Sequence, residues 1–359
     1  MRIVQVITRP QRRGAELFAV QLSEELIKLG HQVILITLFK SEQALDFLGT
    51  QINLDLEYRG KIDLRGFKRL AKKLKEINPD IVQANASETL RMCVGASFFY
   101  KGHYSLIYRN ANQISSFLKG RGSRLWNKFL LSRVDGICSV SEASRLDLEQ
   151  TFGLNKPITT IPIGIDPKQI NQRLTDPSPP IPSPYLIQIG SLVPEKDPLG
   201  MLEIFGELTF PNLKLVFLGS GPLESDLIQK IQALGLQDRV LLVPNQTNIF
   251  PYLKNASALV MPSKVEGLPG VILEAMYCQV LVIAYDVGGI SEVLINQQTG
   301  YCIPPGDPKL FQQAITEVLN AEPINRSIFL ANAHQLILQK FTISQVSQQF
   351  EDFYQRMLQ

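Results

Sequence analysis

Short apolar runs alternate with longer amphipathic segments along most of the chain. Near its start, the run Ile3–Thr8 is followed by a loop with Pro10 and Gly14, and then by apolar residues at helical spacing. Gly30 predicts the end of this helix, and Val33–Leu38 a buried strand. A further helix is predicted at Leu64–Ile77, and three further strands at Ile81–Gln83, Ser105–Tyr108 and Gly136–Val140. Strands that alternate with helices favour a parallel sheet covered on both faces.

A proline-rich stretch interrupts this alternation. Residues 176–184 contain five prolines in nine positions, which neither a helix nor a central strand can hold. The alternation then restarts at Tyr185–Ile189, Asp197–Leu208, Leu213–Leu218, Leu223–Leu234, Val240–Val243, Leu259–Met261 and Val280–Ala284. The pattern predicts two doubly wound α/β domains in series, residues 1–170 and 185–343, joined by a linker at residues 171–184. Ligands are expected beyond the carboxyl ends of the strands, in a cleft between the facing sheets.

The composition excludes several classes of protein. Of the 359 residues, 45% are apolar and 19% charged, so the chain can bury large cores. The apolar run Met92–Tyr100 is too short to cross a membrane, and the N-terminus lacks the unbroken apolar core of a secretory signal. The four cysteines and three histidines are widely spaced, so we expect a cytoplasmic protein without bound metal.

Charge is distributed unevenly along the chain. Residues 1–170 carry a net charge of +9 and residues 171–359 a net charge of −6. The stretch Thr89–Val134 contains no acidic residue, and its basic and apolar side chains interleave, with a short basic amphipathic helix predicted from Leu125 onward. The pattern favours docking of the first domain on an anionic membrane or binding of an acidic acceptor, unless Trp126 and the leucines face the core. Nucleic-acid binding is not indicated, because no helix-turn-helix is present.

The stretch from Glu266 to Glu274 carries the clearest candidate chemistry. It follows the apolar run Leu259–Met261, and Pro269 suits the first position of a helix. Gly270 would let a ligand approach the backbone, where amides at a helix N-terminus favour an anion. Taken alone, the two glutamates also fit a surface residue near a helix start and a solvated helical residue.

Two other loops carry weaker indications. Ser191 and Lys196 follow the first strand of the second domain, where lysine could neutralise a diphosphate, although such a lysine is often only solvated. In the first domain, Gly14 follows Arg12 and Arg13, which could add charge at a helix N-terminus or simply face solvent. This loop lacks the G-x-G-x-x-G pattern of dinucleotide-binding proteins.

Together these stretches resemble the retaining glycosyltransferases of family four, which have the GT-B fold. The ordered motifs are Gly14-Ala15-Glu16, Val140-Ser141-Glu142, residues 161–166, Lys196, residues 219–222, Glu266 with Glu274, residues 286–292 and residues 299–307. The resemblance covers nearly the whole chain. It implies that the first domain faces the acceptor, that the second binds the nucleotide-sugar, and that a C-terminal helix at residues 344–359 crosses back to the first domain.

The resemblance also implies roles for individual residues. Lys196 would neutralise the donor diphosphate, Glu274 would bind the ribose hydroxyls, and Glu266 would contact the transferred sugar. The donor-binding residues would be Gly14, Ser191, Lys196, Glu266, Gly267, Leu268, Pro269, Gly270, Val271 and Glu274. The residues at the reacting atoms would be Lys196, Glu266, Arg109 and Asn110. No protein nucleophile or cofactor is implied, and the acceptor would be a glycan or a lipid-linked sugar.

Several positions depart from the usual family pattern. Ser191 stands where many members have arginine, Arg13 replaces a glycine, and Asn85 and Arg109-Asn110 occupy places where histidine is frequent. Two other interpretations therefore stay open. One is a nucleotide-sugar 2-epimerase, which needs no acceptor, and the other is a non-catalytic sugar- or nucleotide-binding homologue.

Overall fold

The computed structural model describes residues 1–11, 13–41, 44–60, 62–177 and 181–359. Arg12 of the glycine loop and Ser178–Pro180 of the predicted linker therefore lie outside the described residues. The chain divides into two compact units, one formed by Met1–Gly164 with Ile343–Gln359, the other by Ile165–Thr342.

The first unit is built on a seven-stranded parallel sheet with the strand order β3-β2-β1-β4-β5-β6-β7. Its strands are β1 Arg2–Ile7, β2 Gln32–Phe39, β3 Thr50–Leu56, β4 Ile81–Ala84, β5 Ser105–Asn110, β6 Gly136–Ser139 and β7 Ile158–Thr160. Its helices are α1 Gly14–Lys28, α2 Leu64–Ile77, α3 Ser87–Ser97, α4 Gly120–Ser132, α5 Glu142–Phe152 and α13 Ile343–Met357.

The second unit is built on a six-stranded parallel sheet with the order β10-β9-β8-β11-β12-β13. Its strands are β8 Tyr185–Ile189, β9 Lys214–Leu218, β10 Val240–Val243, β11 Ala258–Met261, β12 Leu281–Tyr285 and β13 Tyr301–Ile303. Its helices are α6 Pro167–Arg173, α7 Pro198–Gly206, α8 Glu224–Ala233, α9 Phe250–Lys254, α10 Gly270–Tyr277, α11 Pro308–Asn320 and α12 Pro323–Lys340.

The prediction of two doubly wound parallel-sheet α/β domains is confirmed. Each sheet packs into a large core of buried apolar side chains. The core of the first sheet includes Val4 and Val82, and that of the second includes Leu215 and Val260. In both sheets the strand order reverses beside the first strand of the unit, β1 or β8. At such a reversal the carboxyl ends of neighbouring strands leave room for a ligand.

The predicted linker begins too early. Residues 167–173 form α6, whose first turn is capped by Asp166, with its side chain accepting from the amides of Lys168 (2.9 Å) and Gln169 (3.2 Å). Pro167 lies at the start of the helix, where its missing N–H has no cost. The contacts of the chain place α6 with the second unit, since Asn248 donates to the carbonyl of Arg173 at 2.6 Å.

Candidate functional site

Four loops meet at the carboxyl edge of the second sheet, and three glycines allow them to pack backbone against backbone. A Cβ on Gly219 would lie 1.9 Å from the carbonyl oxygen of Gly190, and a Cβ on Gly221 2.4 Å from that of Leu192. A Cβ on Gly288 would lie 2.2 Å from the carbonyl oxygen of Glu266. The loops after β8, β9, β11 and β12 are thus fixed against one another, and they carry Ser191, Lys196 and the Glu266–Glu274 stretch.

Lys196 ends a short 3-10 helix, Pro194–Lys196, that folds back over β8. The side chain of Gln188, in β8, donates through Nε2 to the carbonyl of Lys196 at 2.8 Å. The amide of Lys264, which follows β11, donates to the carbonyl of Glu195 at 2.8 Å. These two bonds anchor the lysine loop to two neighbouring strands, and Ser191 precedes it as a partly exposed residue.

The structure brings Lys196 and Glu266 into direct contact. The ammonium Nζ of Lys196 donates to the carboxylate Oε1 of Glu266, although the two residues are 70 positions apart. Glu266 is buried, with 6% of its surface exposed, whereas the lysine side chain retains 25% exposure. A buried carboxylate is stable when a cation pairs with it. The pair therefore presents a partly exposed ammonium and an almost enclosed carboxylate at one place on the sheet edge.

The first turn of α10 lies beside this pair in the chain. Gly267, Leu268 and Pro269 are buried, and Gly270 and Val271 are partly exposed. Pro269, which precedes the helix, provides no side-chain cap for its N-terminus. The first amides of a helix have no intrahelical partner and carry the positive end of its dipole. This turn, which follows Glu266 by four residues in the chain, therefore offers N–H groups to an anion.

Glu274 lies one turn further along α10 and has an unusual protonation equilibrium. It keeps some solvent exposure, but the surrounding protein raises the pKa of its carboxyl to about 7, chiefly through burial. The positive charge of Arg173, at the end of α6, acts in the opposite direction. The carboxyl is therefore divided between its neutral and ionised forms near neutral pH, and it can accept or donate a hydrogen bond.

The remaining predicted residues belong to the first unit. Gly14 begins α1, and a Cβ there would meet no atom within 4 Å, so close packing does not require glycine at this position. Asn110 ends β5 and is buried, with its Nδ2 donating to Ser139 Oγ (3.3 Å) and to the carbonyl of Ser144 (3.2 Å). These bonds hold the carboxyl ends of β5 and β6 together.

Arg109 is buried beside Asn110, and no residue in the described part of the chain forms a hydrogen bond with its side chain. Its Nε and Nη1 atoms are enclosed and unpartnered among the described residues, and its guanidinium carbon lies 4.3 Å from the ring centroid of Phe18. Burial lowers its pKa to about 10, so it remains charged at neutral pH. Asn110 is thus bonded within the protein, whereas the side chain of Arg109 has no such bond to the residues that the structure describes.

Sequence reasoning missed three residues that shape the second unit's site. Gln188 bonds the backbone of Lys196, Arg173 provides positive charge near Glu274, and Gly288 packs on Glu266. Gly288 was within a recognised motif, so its role could have been found. Gln188 and Arg173 carry no local indication in the sequence, because their contacts are long-range.

Within residues 1–11, 13–41, 44–60, 62–177 and 181–359, no three His, Cys, Asp or Glu side chains cluster as metal ligands. In the same part of the chain, every helix is too short or too polar to cross a membrane.

Comparison with known proteins identifies the family. Residues 12–169 match the model of Glycosyltransferase Family 4, and residues 174–335 match that of Glycosyl transferases group 1. The chain is 23% identical to N-acetyl-alpha-D-glucosaminyl L-malate synthase of Bacillus anthracis, over 97% of this chain and 95% of that protein. It is 24% identical to an N-acetylgalactosaminyltransferase of Campylobacter jejuni that acts on a diphospho-undecaprenol-linked sugar, over 59% of each protein.

A solved structure agrees with this assignment. The crystal structure of HepE from Anabaena in complex with UDP-glucose superposes with a TM-score of 0.82 at 17% identity, covering 99% of this chain and 100% of that one. At this identity the likeness supports the fold alone. The two family models and the two parallel sheets together show that the chain belongs to the family-four glycosyltransferases and has their GT-B fold.

Proposed function

We propose that this glycosyltransferase takes its sugar from a nucleoside-diphosphate sugar held at the carboxyl edge of the second sheet. The observation that carries the proposal is the contact of Lys196 with Glu266, four residues before the helix N-terminus at Gly270 and Val271 that no side chain caps. The ammonium and amides suit a diphosphate, and a carboxylate suits the hydroxyls of a sugar. Glu274 would bind the vicinal hydroxyls of the ribose, with Ser191 as a further donor to the phosphates.

The relatives support this choice of substrates. The Anabaena structure contains UDP-glucose, and the Bacillus and Campylobacter enzymes transfer N-acetylhexosamines, the latter to a lipid-linked acceptor. We therefore propose a hexose or N-acetylhexosamine as the transferred sugar and a glycan or lipid-linked acceptor.

We further propose that the anomeric configuration is retained. The bond between the anomeric carbon and the diphosphate oxygen breaks, and the acceptor oxygen forms its bond on the same face. Its proton passes to an oxygen of the departing diphosphate, so no protein nucleophile takes part. The protein's contribution is to position the substrates and to stabilise the charge that develops on the leaving group, through Lys196 and the α10 amides. A divalent metal is then not required, and activity in excess EDTA should equal activity without it.

A thermal-shift screen tests the donor proposal directly. A ligand that binds only the folded protein raises its melting temperature. The screen compares the rise in melting temperature caused by UDP, GDP, ADP and dTDP. The nucleotide with the largest effect is then compared with its hexose and N-acetylhexosamine conjugates. Incubation with the selected donor and NMR of the product then give the anomeric configuration. Release of a 2-epimer without acceptor would identify an epimerase, and binding without turnover over a range of acceptors would identify a non-catalytic homologue.

We also propose that the first unit docks on an anionic lipid surface. Leu125 and Phe129, one turn apart on α4, are exposed by 69% and 42%, and Phe129 stacks on the exposed Phe98 with ring centroids 6.5 Å apart. Arg133 lies over the Phe98 ring at 5.0 Å. We call Phe98, Leu125, Phe129 and Arg133 the docking patch. Apolar side chains flanked by basic ones favour insertion at the headgroup region.

The sequence left open which side chains of α4 face the core. Leu130 and Leu131 are buried, and Trp126 is partly buried and packs against the core, whereas Leu125 and Phe129 face solvent. The helix also begins at Gly120, five residues before the predicted start. Its earlier start adds Arg121 and Arg124 to the same helix as Lys128.

A further inference from the structure

We propose that Arg109 binds a carboxylate or phosphate group carried by the transferred sugar or by the acceptor. The inference rests on the proposed function, and it names an anionic group on a substrate outside the nucleotide diphosphate. The transferred sugar and the acceptor could each carry such an anionic group, and binding measurements with anionic and neutral ligands distinguish the two.

The unpaired state of Arg109 is the first observation. Only 2% of its surface is exposed, and within the described residues it forms no hydrogen bond or ion pair. Buried N–H donors of a charged group that lack a partner destabilise the folded state, so almost all buried polar groups are paired. A guanidinium held in this state is ready to gain hydrogen bonds from an incoming anion. Its planar donors suit the oxygens of a carboxylate or a phosphate.

The place of Arg109 in the sheet is the second observation. It is the penultimate residue of β5, which neighbours β4, and β4 neighbours β1 at the point where the strand order reverses. Carboxyl ends at such a reversal line the ligand crevice of open α/β sheets. The guanidinium also lies against Phe18, in the second turn of α1. Since α1 starts at this edge, the guanidinium lies close to it and not deep under the sheet.

The N-terminus of α1 is the third observation. The helix has 15 residues, and Arg13 at its N-cap gives no side-chain hydrogen bond to the first turn. The amide of Glu16 bonds the carboxyl of the same residue, and the rest of the first turn and the helix dipole add to the positive potential near Arg109. One acid is nearby, since Glu16 lies in this first turn, is buried and accepts from Gln11 at 3.0 Å. Burial raises the pKa of Glu16, and its hydrogen bond from Gln11 and the charge of Arg13 act in the opposite direction.

The other charged and titratable groups around Arg109 do not neutralise it. Cys138, opposite Arg109 on β6, is buried, and burial raises the pKa of its thiol, so it stays neutral. Tyr354 of α13 is neutral for the same reason, and its hydroxyl donates to Gln83 at 2.7 Å. Among the residues of the first unit that the structure describes, Glu16 is the one acid whose charge acts on Arg109, and burial raises the pKa of its carboxyl.

The experiment compares anionic and neutral ligands of the same shape. In the donor arm, calorimetry compares the affinity of the protein for UDP-glucuronate with its affinity for UDP-glucose. In the acceptor arm, thermal shift measures D-glucuronate and inorganic phosphate against D-glucose, on the protein alone and with saturating UDP. If the sugar carries the anion, UDP-glucuronate should bind about tenfold or more tightly than UDP-glucose. If the acceptor carries it, both sugar nucleotides should bind alike and the free anions should raise the melting temperature.

Three variants assign the effect to the guanidinium. Arg109→Met should abolish the preference for anions while leaving the affinity for UDP unchanged, and Arg109→Lys should retain part of that preference. Arg356→Met is the matched control, because Arg356 also lies over a phenylalanine ring, that of Phe353 at 5.7 Å, but is exposed. It should behave as wild type.

Each outcome decides between this inference and the proposed function. If wild-type protein shows no preference for an anion in either arm, the inference is wrong, whatever the variants do. It is also wrong if Arg109→Met retains the preference. If UDP fails to bind but the free anions still raise the melting temperature through Arg109, the donor proposal fails and the inference stands.

Discussion

At the scale of single residues, the Lys196–Glu266 pair allows a direct test of the donor site. Replacing Lys196 by Ala removes the charge that faces the diphosphate and should lower turnover by a factor of about 10² to 10³, equal to about 2.7–4 kcal/mol of barrier. Glu266 is also left buried without its cation, so the melting temperature should fall. Steady-state kinetics and circular dichroism measure both effects.

Another Lys–Glu pair provides the control for this test. Lys230 contacts Glu203 on the surface of the second unit, where the lysine side chain is 27% and the glutamate side chain 65% exposed. Surface pairs contribute little, so Lys230→Ala should leave turnover and melting temperature within error of wild type. Equal effects of the two alanine variants would contradict the role of Lys196 at the donor.

Glu274 should make the stability of the protein depend on pH. Its pKa is raised from 4.5 to about 7 in the folded state, so the folded protein binds more protons than the unfolded chain between these values. Stability is therefore greatest below about pH 4.5 for this group and falls as pH rises towards 7, by on the order of 2–3 kcal/mol. Glu274→Gln stays neutral and should melt higher than wild type at pH 8, but not at pH 5.

The same substitution separates stability from function. If an ionised Glu274 accepts hydrogen bonds from ribose hydroxyls, Glu274→Gln should bind a nucleoside diphosphate more weakly above pH 7 even though it is more stable. Calorimetry at pH 6 and pH 8 measures the difference. A variant that is more stable and binds the nucleotide as tightly as wild type at pH 8 would remove Glu274 from the donor site.

Sequence reasoning selected the residues of the candidate donor site, whose roles stay predictions, but it did not predict their protonation and pairing. The spacing of Glu266 and Glu274 and the position of Lys196 were sufficient to select them, because local motifs carry them. The raised pKa of Glu274 and the unpaired guanidinium of Arg109 depend on packing between distant segments. Asn110 was selected together with Arg109, yet its amide is bonded to Ser139 and Ser144. Its role at the reacting atoms stays a prediction.

At the scale of elements, Gly288 should be required for the arrangement of the loops. Its φ is +62°, and a Cβ there would lie 2.2 Å from the carbonyl oxygen of Glu266. Gly288→Ala therefore has to displace the loop that carries Glu266, and it should weaken nucleotide binding at least tenfold as well as lower the melting temperature. Gly235 is a matched control with a φ of +65° and no atom within 4 Å. Gly235→Ala carries only the backbone strain and should leave nucleotide binding unchanged.

The docking patch gives a second prediction for an element, helix α4. Reversing Arg121, Arg124 and Lys128 to Glu should abolish co-sedimentation with phosphatidylglycerol vesicles at low salt, since each basic residue near such a surface contributes about 1 kcal/mol. The control variant reverses three exposed lysines of the second unit to Glu, which changes the net charge by the same amount. These lysines are Lys254, Lys309 and Lys340. If the two triple variants bind vesicles equally, or if wild-type protein ignores the vesicles, the docking proposal is wrong.

The sequence predicted most elements, and the exceptions have physical reasons. The helix Leu64–Ile77 has the predicted bounds, because its apolar residues keep a strict helical spacing that leaves Phe67, Leu70 and Leu74 buried. Strand β3 was not predicted, although Ile52, Leu54 and Leu56 alternate with polar residues. It is an edge strand, so only one neighbour, β2, supports it. The strands β7 and β13 have three residues each, too few to show a period.

At the scale of the whole molecule, α13 places the end of the chain in the first unit. The hydroxyl of Tyr354 accepts from Gln5 at 3.1 Å and donates to Gln83 at 2.7 Å, and Phe350 packs on Phe18 with ring centroids 5.9 Å apart. The residues that α13 contacts here, Gln5, Phe18 and Gln83, all come before the second unit in the sequence. The first unit can therefore complete its core only after the second has been synthesised.

The two units should unfold as separately measurable bodies, and the chain has a convenient probe for this. Its single tryptophan, Trp126, packs against the core of the first unit, so tryptophan emission follows that unit, while circular dichroism follows both.

Three tyrosine variants test whether the units unfold separately. Tyr354→Phe leaves Gln5 and Gln83 without their shared partner, which costs about 1–3 kcal/mol, and should lower the emission midpoint by several degrees. Tyr185→Phe removes a bond of 2.5 Å to the carbonyl of Tyr252 in the second unit, and should lower only the dichroism midpoint. Tyr58→Phe, at an exposed position, should change neither. Equal shifts of the emission midpoint in Tyr354→Phe and Tyr185→Phe would mean that the two cores unfold as one.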